Sequence, residues 1–378
     1  MAGDGGYGLA KLRAVILDAD RLEKVLGVGV PVGVEVAGVT HDSRAVGQGF
    51  AFVAVPGFRL DGAAFAREAL DRGAALVVAE KMLPGAPSVV VPDARTALAD
   101  LARAVFDDPS EKLEVYGVTG TNGKTTTSYA LYRILAQTYG VEASGLMTTA
   151  ETICAGKRKP AGRTTPEAPE VQATLAGMLE AGVEKVVMEV SSHGLALRRV
   201  SGTRFAGALF TNLTRDHHDL HGSMKQYYKT KRRMFQVSGG PKLSNADDSW
   251  GKRLTNEIDG VKTFGEAEGA DYRVEDFRNE PEETLFSLRH PGGTLEIASP
   301  LLGGYNALNV AGAASLALAT GVNEEIVGRA VREMPQVPGR FERIAEAKEF
   351  EVIVDYAHTD VGLSEVLGVA RGVVRGGG

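Results

Sequence analysis

The stretch 113–135 constrains the fold most narrowly, because it joins a strand-like run to a helix-like run through a glycine-rich turn. Apolar residues at 113, 115, 116 and 118 predict a short buried strand, and those at 130, 131, 134 and 135 recur at helical spacing. Between them, Gly120 and Gly123 let backbone N–H groups approach an anion, Lys124 brings a positive charge, and Thr125 brings a hydroxyl suited to magnesium. The helix N-terminus adds its partial positive charge, so the turn is predicted to hold nucleotide phosphates.

The plainer alternative is a glycine turn followed by a threonine-capped helix. The strict phosphate-loop pattern has glycine where this chain has Val118, so the motif is matched only in part. Gly-Lys-Thr between a strand and a helix is much less common than such a turn, and phosphate binding is the preferred interpretation. The residues predicted to contact the nucleotide in this loop are Gly120, Thr121, Asn122, Gly123, Lys124, Thr125 and Thr126.

Composition limits the class of protein. At 378 residues the chain exceeds one ordinary core, and two or three domains are expected. The formal net charge of −6 argues against a nucleic-acid binder, which usually carries a basic excess. The one cysteine, Cys154, excludes an intrachain disulfide framework and is expected to be a packed or surface thiol. We expect a cytoplasmic protein without membrane insertion, because there is no signal-peptide pattern and no apolar run near the roughly 20 residues of a membrane helix.

Alternating strand-like and helix-like runs predict an α/β organisation in three parts. Residues 1–110 indicate a small α/β domain, and residues 111–335 indicate a mostly parallel sheet with helices on both faces and an antiparallel excursion at 271–298. Residues 336–378 are about the lower limit of length for an independent fold and are expected to begin a third, incomplete domain. Because ligands of such sheets lie beyond the carboxyl ends of the strands, Glu189 and Asn212 are placed near the site.

A carboxylate and histidines follow two of the central strands. Glu189 lies in Met-Glu-Val-Ser-Ser-His-Gly, and His217 in Thr-Arg-Asp-His-His-Asp-Leu-His-Gly. Together with the Thr125 hydroxyl they are predicted to hold a divalent cation, and because oxygen ligands dominate, magnesium is preferred. Zinc bound by the histidine cluster is a lesser alternative in the absence of thiolates, and His218 and His221 are expected to be structural or solvent-facing.

The helix after Ser223 carries a lysine within an apolar stripe. Met224, Tyr228, Lys231 and Phe235 recur at intervals of four, three and four and share one face. The ordinary interpretation is a lysine that snorkels to the surface. Burial next to a magnesium site would instead depress its pKa, and the neutral amine can add carbon dioxide to form a carbamate, an anionic ligand for a second magnesium. The hypothesis is that Lys231 is carbamylated.

Four motifs in order resemble the Mur ligases: Gly-Thr-Asn-Gly-Lys-Thr-Thr, Met-Glu-Val-Ser-Ser-His-Gly-Leu, Thr-Asn-Leu-Thr-Arg-Asp-His and Asp-Tyr-Ala-His-Thr. The resemblance covers nearly the whole chain and is to the branch that adds a third amino acid to a UDP-sugar peptide. It implies a UDP-substrate-binding domain at 1–110, a central P-loop ATPase-like, ATP-binding domain at 111–335, and the start of a truncated Rossmann-like ligase domain at 336–378. The implied partners are ATP, magnesium, a UDP-N-acetylmuramoyl dipeptide and a diamino acid, and a monomer is expected.

The resemblance also implies roles for individual residues. Lys124, Glu189, His217 and Lys231 are the implied catalytic residues, and the magnesium ligands are Thr125, Glu189, His217 and a carbamylated Lys231. Beyond the phosphate loop, the implied ATP contacts are Asn306, Asn309, Arg340, Asp355 and His358. The implied contacts to the UDP-sugar peptide are His41, Ser43, Phe58, Arg59, Leu60, Thr164, Thr165, Ser191 and Arg199. Taken alone, Thr164-Thr165-Pro166 reads as an ordinary helix start, and Asn306 and Asn309 as helix-capping residues.

Departures from the family pattern leave some points open. Arg163 and Leu197 stand where the family commonly has asparagine and, in some members, glutamine, and Asp360 replaces a proline. The Asp-Asn-Pro-Arg motif that recognises the incoming amino acid is absent, so diaminopimelate, lysine and ornithine all remain open as acceptors.

The implied reaction proceeds in two steps. ATP phosphorylates the terminal D-glutamate carboxylate, and the amine of the amino acid then attacks the acyl phosphate. Two alternatives stay open at this stage. One is a truncated homologue that binds UDP-sugar peptide and ATP without turnover, and the other is a different amide ligase of the superfamily, such as folylpolyglutamate or cyanophycin synthetase.

Overall fold

The computed structural model describes residues 14–57, 60–344 and 350–373. The helices are α1 (Ala19–Leu26), α2 (Ala66–Asp71), α3 (Ala94–Val105), α4 (Lys124–Tyr139), α5 (Ala168–Glu180), α6 (Ser192–Ala196), α7 (His218–His221), α8 (Met224–Val237), α9 (Ser249–Glu257), α10 (Gly304–Ala319), α11 (Glu324–Arg332) and α12 (Asp360–Val373). The strands are β1 (Gly38–Thr40), β2 (Phe50–Val53), β3 (Leu76–Ala79), β4 (Val89–Val90), β5 (Glu114–Thr119), β6 (Ser144–Met147), β7 (Glu151–Cys154), β8 (Lys157–Pro160), β9 (Lys185–Glu189), β10 (Phe205–Phe210), β11 (Lys242–Asn245), β12 (Val261–Gly265), β13 (Tyr272–Asn279), β14 (Thr284–His290), β15 (Gly293–Ser299), β16 (Glu342–Arg343) and β17 (Ile353–Val354).

The described residues form two compact units. The first takes the residues up to 113 together with 166–181 and 194–203, and the second takes the remainder. The first unit is therefore assembled from three stretches of chain. The domains predicted from the sequence are instead consecutive, with boundaries after residues 110 and 335. Residues 336–344 and 350–373, with the antiparallel pair β16–β17 and α12, fall in the second unit, and the separate domain beginning at 336 stays a prediction.

The first unit is built on a parallel sheet with strand order β1-β2-β3-β4. Adjacent residues of a strand point to opposite faces. Ala51 and Val53 of β2 accordingly pack with α1 and α3, while Phe52 packs with α2 on the other face. Helix α5 lies against α3 and adds Ala168 to the first of these clusters.

The second unit is built on a larger sheet with strand order β15-β14-β13-β12-β11-β10-β5-β9-β6-β7-β8. The seven strands from β13 to β6 pair in parallel, and antiparallel hairpins extend both edges. Strands β13, β14 and β15 form the antiparallel excursion predicted for residues 271–298. In the parallel part, the carboxyl ends of β6, β9, β5 and β10 lie side by side.

Helices cover both faces of this sheet, as predicted. A side chain at Gly117 of β5 would press on Met234 of α8, whereas the next residue, Val118, belongs to the cluster that includes α4 and α10. The same alternation holds on β10, where Leu209 joins that cluster and the Phe210 ring contacts an aromatic ring of α8. The α/β fold class with a central parallel sheet is therefore confirmed, and its two-sided cover explains why β5 and β10 are buried almost throughout.

Some element boundaries differ from those predicted. In the first unit, the apolar run 50–55 is a strand only as far as Val53, and a 3-10 turn at 62–65 precedes α2. The helix start expected at Thr164-Thr165-Pro166 is wrong, because α5 begins at Ala168 with Glu167 as its N-cap. The Glu167 backbone N–H donates to the Glu170 side chain, and the two residues form a capping box at the start of α5.

Two further expectations concern Cys154 and membrane helices. Cys154 is a buried free cysteine at the end of β7, and burial raises the pKa of its thiol, as expected for a packed residue. Across residues 14–57, 60–344 and 350–373, every helix is too short or too polar to cross a bilayer.

Leu131 offers a test of the packing between α4 and the sheet. Its side chain is buried in the main cluster, so Leu131→Ala should lower the free energy of unfolding by about 2–5 kcal/mol, from lost burial and the cavity left behind. Chemical denaturation followed by circular dichroism measures this value. Leu367→Ala is the matched control, because Leu367 of α12 is 56% exposed and its truncation should change stability by no more than about 0.5 kcal/mol. Equal effects of the two substitutions would contradict this account of the core.

Candidate active site

The phosphate loop spans residues 120–123, between the end of β5 and the first residue of α4. Two positions in it require glycine. Gly120 has φ 154° and Gly123 has φ 81°, and a Cβ atom would overlap the hydroxyl of Thr211 at the first and the amide oxygen of Asn309 at the second. The predicted strand, turn and helix are thus confirmed, and neighbouring backbone and side chains leave no room for a larger residue.

Residues that follow β10 hold the loop in place. The Thr211 hydroxyl donates to the Asn122 carbonyl at 2.6 Å, and the Asn122 N–H donates to the Asn212 amide oxygen at 3.0 Å. The Thr121 N–H donates to the Asn212 carbonyl at 2.9 Å. The first N–H groups of α4 have no acceptor within the helix, as at any helix start, so the loop is fixed with these donors directed at its concave side.

Lys124 begins α4 and folds back over the loop. Its Nζ donates to the Thr121 carbonyl at 2.8 Å and lies 4.0 Å from Glu189 Oε1, and its side chain is 18% exposed. Burial lowers the pKa of Lys124, and the negative charge of Glu189 opposes that shift. The amine is therefore next to a carboxylate and at the mouth of the loop, where it can neutralise an incoming phosphate.

Glu189 ends β9 and is 2% exposed. One of its carboxylate oxygens, Oε2, accepts hydrogen bonds from the Thr125 hydroxyl and from the Thr149 N–H, both at 3.0 Å. The Thr149 hydroxyl lies 3.1 Å from both carboxylate oxygens. This buried carboxylate is thus held from two sides, by the first turn of α4 and by the residues after β6.

Arg340 reaches the same threonine from a distant part of the chain. Its Nη2 donates to Thr125 Oγ1 at 3.0 Å, and its guanidinium lies 4.8 Å from the centroid of the Tyr356 ring. Of the predicted nucleotide contacts after residue 335, Arg340 is hydrogen-bonded to the first turn of α4. Asp355 accepts from the Phe341 and Ala357 N–H groups, and His358 Nδ1 lies 2.9 Å from the Tyr356 carbonyl.

Lys231 lies on α8, which is capped by Ser223 as predicted. The stripe is wider than the sequence indicated, since Tyr227 and Met234 are also buried, while Met224 is only half-buried. The Lys231 side chain is 1% exposed, which excludes the alternative in which it snorkels to the surface and agrees with its inward position on the predicted helix face.

The Lys231 amine points at the phosphate loop. Its Nζ donates to the Gly120 carbonyl at 2.7 Å and to the Thr119 hydroxyl at 3.4 Å, and it lies 4.9 Å from the centroid of the Tyr227 ring. Burial, together with the positive charge of Lys124, holds the pKa of Lys231 well below its ordinary value. The amine is therefore readily deprotonated, which is the chemical condition for adding carbon dioxide.

His217 lies after β10 with a left-handed backbone, φ 49°. Its Nε2 is 3.3 Å from Asp216 Oδ2, and its ring makes an edge contact with His193 at 4.7 Å between centroids. Burial lowers the pKa of His217, with the negative charge of Asp216 opposing the shift.

The sequence predicts that the two other histidines of this segment are structural or solvent-facing. His221 is buried, and its ring stacks on the Tyr227 ring with 4.7 Å between centroids, which fits a structural residue. The side chain of His218 lies outside the described residues.

Three predicted substrate contacts of the second unit, Thr164, Thr165 and Ser191, lie near Glu189. The Thr165 hydroxyl donates to the Glu189 carbonyl at 3.1 Å and accepts from the Ser191 N–H at 3.0 Å. Thr164 Oγ1 lies 3.0 Å from Thr149 Oγ1. These hydroxyls therefore adjoin the residue that also contacts Thr125 of the phosphate loop.

Asn306 and Asn309 lie in the first turns of α10 and do not cap it, since Gly303 is the N-cap. Asn306 donates to the Leu302 carbonyl at 2.9 Å, and Asn309 accepts from the Thr127 hydroxyl at 3.4 Å. Asn306 and Arg340 also line a cavity of about 150 Å³ with Glu282, Pro300, Leu301, Leu302, Gln336, Phe341 and Arg343. Arg340, which lines this cavity, also donates to Thr125 in the first turn of α4.

The remaining predicted contacts belong to the first unit. The Ser43 hydroxyl donates to Glu68 at 3.0 Å, His41 is half-buried, and Leu60 is exposed. Arg199 Nη2 lies 2.6 Å from Glu167 Oε1. Phe58 and Arg59 lie outside the described residues.

Sequence reasoning missed two residues that contact the site. Thr149 holds the Glu189 carboxylate, and Tyr227 covers the Lys231 amine and lies 3.3 Å from the Thr121 hydroxyl. Thr149 follows the strand-like run 144–147, so the rule that sites lie beyond the carboxyl ends of parallel strands identifies it. Tyr227 lies four residues before Lys231, one helical turn away on the same face.

The donor set suits magnesium better than zinc. The hydroxyl of Thr125 and the carboxylate of Glu189 are hard oxygen donors that already touch each other, as magnesium prefers. Among the residues whose side chains the structure describes, His, Cys, Asp and Glu form no group of three arranged to hold a metal.

Two family models and several sequence relatives match this chain. The family model for the Mur ligase middle domain matches residues 118–317, and that for the Mur ligase family, catalytic domain, matches residues 35–106. The UDP-N-acetylmuramoyl-L-alanyl-D-glutamate--2,6-diaminopimelate ligase of Solibacter usitatus is 41% identical over 347 residues, covering 90% of this chain and 70% of the relative. The ligase of the same name from Gloeobacter violaceus is 42% identical over 350 residues, covering 91% and 71%.

A solved structure of a UDP-N-acetylmuramoyl-L-alanyl-D-glutamate--2,6-diaminopimelate ligase has the same fold. It superposes with a TM-score of 0.79 at 26% identity, over 94% of this chain and 74% of that one. The family models match both the small parallel sheet of the first unit and the phosphate-loop sheet of the second. The chain belongs to the Mur ligase family.

Proposed function

We propose that this protein is an ATP-dependent ligase that joins a diamino acid to UDP-N-acetylmuramoyl-L-alanyl-D-glutamate, a step of peptidoglycan precursor synthesis. The observation that carries the proposal is the convergence of Lys124, Thr125, Glu189 and Lys231 on one phosphate loop. The relatives named above, at 41% and 42% identity, support the substrate and the acceptor, diaminopimelate. A reaction that consumes ATP and a UDP-activated sugar belongs in the cytoplasm, and we propose a monomer.

The loop and Lys124 act on the phosphates of ATP. N–H groups at the start of α4 bind phosphate oxygens, and the Lys124 amine, 4.0 Å from Glu189, offsets negative charge on the phosphoryl group as it transfers to the D-glutamate carboxylate. We propose that the nucleotide binds beside the loop through Asn306, Asn309 and Arg340. Further contacts to the nucleotide are proposed for Asp355 and His358. The acyl phosphate so formed is attacked by the amine of the incoming amino acid, and phosphate leaves as the amide forms.

Magnesium fits the oxygen donors of the site and would supply charge neutralisation at the transferring phosphoryl group. Thr125 and Glu189 would hold it, with His217 and a carbamylated Lys231 as further ligands. Carbamylation converts the Lys231 amine, which is costly to bury as a cation, into an anion that a second magnesium can balance.

Hydroxyl and charged groups are proposed to bind the sugar-peptide substrate. Thr164, Thr165 and Ser191 provide the contacts beside Glu189. In the first unit, His41, Ser43, Leu60 and Arg199 are proposed to contact the UDP-sugar peptide, as are Phe58 and Arg59 by resemblance.

Product formation tests the proposal directly. The protein is incubated with ATP, magnesium, the UDP-N-acetylmuramoyl dipeptide and, separately, meso-diaminopimelate, lysine or ornithine. The expected result is an amide product with diaminopimelate and one phosphate released per product, measured by mass spectrometry and phosphate assay. Tight binding of ATP and UDP-dipeptide with no amide from any acceptor would overturn the proposal and identify a binding module.

Lys124→Met should lower kcat by at least about 100-fold, because the substitution removes the charge that stabilises the transferring phosphoryl group. The KM for the UDP-dipeptide should stay within about threefold of its original value, since Lys124 faces the nucleotide loop. Steady-state kinetics measures both constants. Lys229→Met is the control, because Lys229 is an exposed residue of α8 and its loss should leave kcat unchanged. A kcat loss of the same size in both variants would contradict the role proposed for Lys124.

Lys231→Ala tests the carbamate. Activity of the unmodified protein, depleted of carbon dioxide, should rise when bicarbonate is added, because only the neutral amine reacts and the lowered pKa of Lys231 keeps it neutral to lower pH. The variant should have low activity and no bicarbonate response. NMR with carbon-13 bicarbonate should show a carbamate signal that is absent from the variant. An active variant with equal activity in bicarbonate-free and bicarbonate-rich buffer would remove the hypothesis.

A further inference from the structure

Thr149 lies where two parts of the site meet. It is the second residue after β6, and β6 pairs in parallel with β9, with Met147 in register with Met188. Glu189 is the next residue of β9, so the sheet itself brings Thr149 beside the carboxylate. Neither residue is near the other in sequence.

Thr149 holds the carboxylate with two groups at once. Its N–H donates to Glu189 Oε2 at 3.0 Å, and its hydroxyl lies 3.1 Å from both Oε1 and Oε2. The Thr125 hydroxyl also donates to Oε2, at 3.0 Å. With one backbone and two hydroxyl donors on it, the carboxylate has a single orientation relative to the phosphate loop.

The same hydroxyl is also 3.0 Å from Thr164 Oγ1. A hydroxyl has one proton to donate, and both the Glu189 carboxylate and Thr164 Oγ1 are acceptors within reach of the Thr149 hydroxyl. The carboxylate is the stronger acceptor of the two. Because the two acceptors share one donor, the Thr149 hydroxyl couples the carboxylate to Thr164.

We propose that Thr149 is a positioning residue that fixes Glu189 for the magnesium nucleotide and connects it, through Thr164, to the sugar-peptide side of the site. The inference rests on the proposed function.

Thr149→Val tests the inference, because valine keeps the shape and the backbone N–H and removes the hydroxyl. Affinity for magnesium together with a non-hydrolysable ATP analogue, measured by calorimetry, should fall 10- to 100-fold, the usual loss when a group that orients a metal ligand is removed. Thr149→Ser restores the hydroxyl and should bind within about threefold of the unmodified protein. Thr149→Ala provides a second variant without the hydroxyl should the valine variant fold poorly.

Thr148→Val is the matched control. Thr148 is the preceding residue and is also buried, but its hydroxyl donates to the Glu151 carbonyl at 2.9 Å rather than to Glu189. Its nucleotide affinity should be unchanged. Unaltered magnesium-nucleotide affinity in Thr149→Val, or an equal loss in Thr148→Val, overturns the inference alone. Unmodified protein that binds no magnesium nucleotide overturns the proposed function, and the inference with it.

Discussion

The buried carboxylate of Glu189 is the constraint around which the second unit is arranged. An ionised carboxylate removed from water is stable only when donors and cations surround it. Here the donors come from the first turn of α4 and from the residues after β6, and the cation is Lys124. Satisfying one charge thus ties together three adjacent strands, β6, β9 and β5, and the loop that leads into α4.

Lys231 imposes a second constraint of the opposite sign. A buried ammonium beside another cation is unfavourable, which is why the pKa of Lys231 is depressed and why most proteins place such a lysine at the surface. The hydrogen bond from the Lys231 amine to the Gly120 carbonyl offsets part of the cost of burying the amine. The same bond fixes the first residue of the phosphate loop.

The parallel sheet explains why these groups meet although they are far apart in the chain. The strands β6, β9, β5 and β10 are neighbours, and all point their carboxyl ends to the same edge. Each contributes residues just beyond its last position: Thr149, Ser191, the phosphate loop and Asn212. Arg340, more than 200 residues from Thr125 along the chain, completes the arrangement by donating to its hydroxyl. The site is therefore a property of the sheet edge, and no single segment contains it.

The sequence by itself determined the strand, turn and helix around Lys124, the two-sided parallel sheet, the position of Glu189 and the face of α8 that carries Lys231. Local spacing and glycine content are sufficient for these, since strand and helix periodicities are set by short-range geometry. Only the tertiary structure decided that Lys231 is fully buried, that Thr149 and Tyr227 belong to the site, that Arg340 reaches Thr125, and that α5 packs with the first unit. Each of these depends on contacts between residues distant in sequence, and such contacts follow from strand order and packing, which local patterns do not encode.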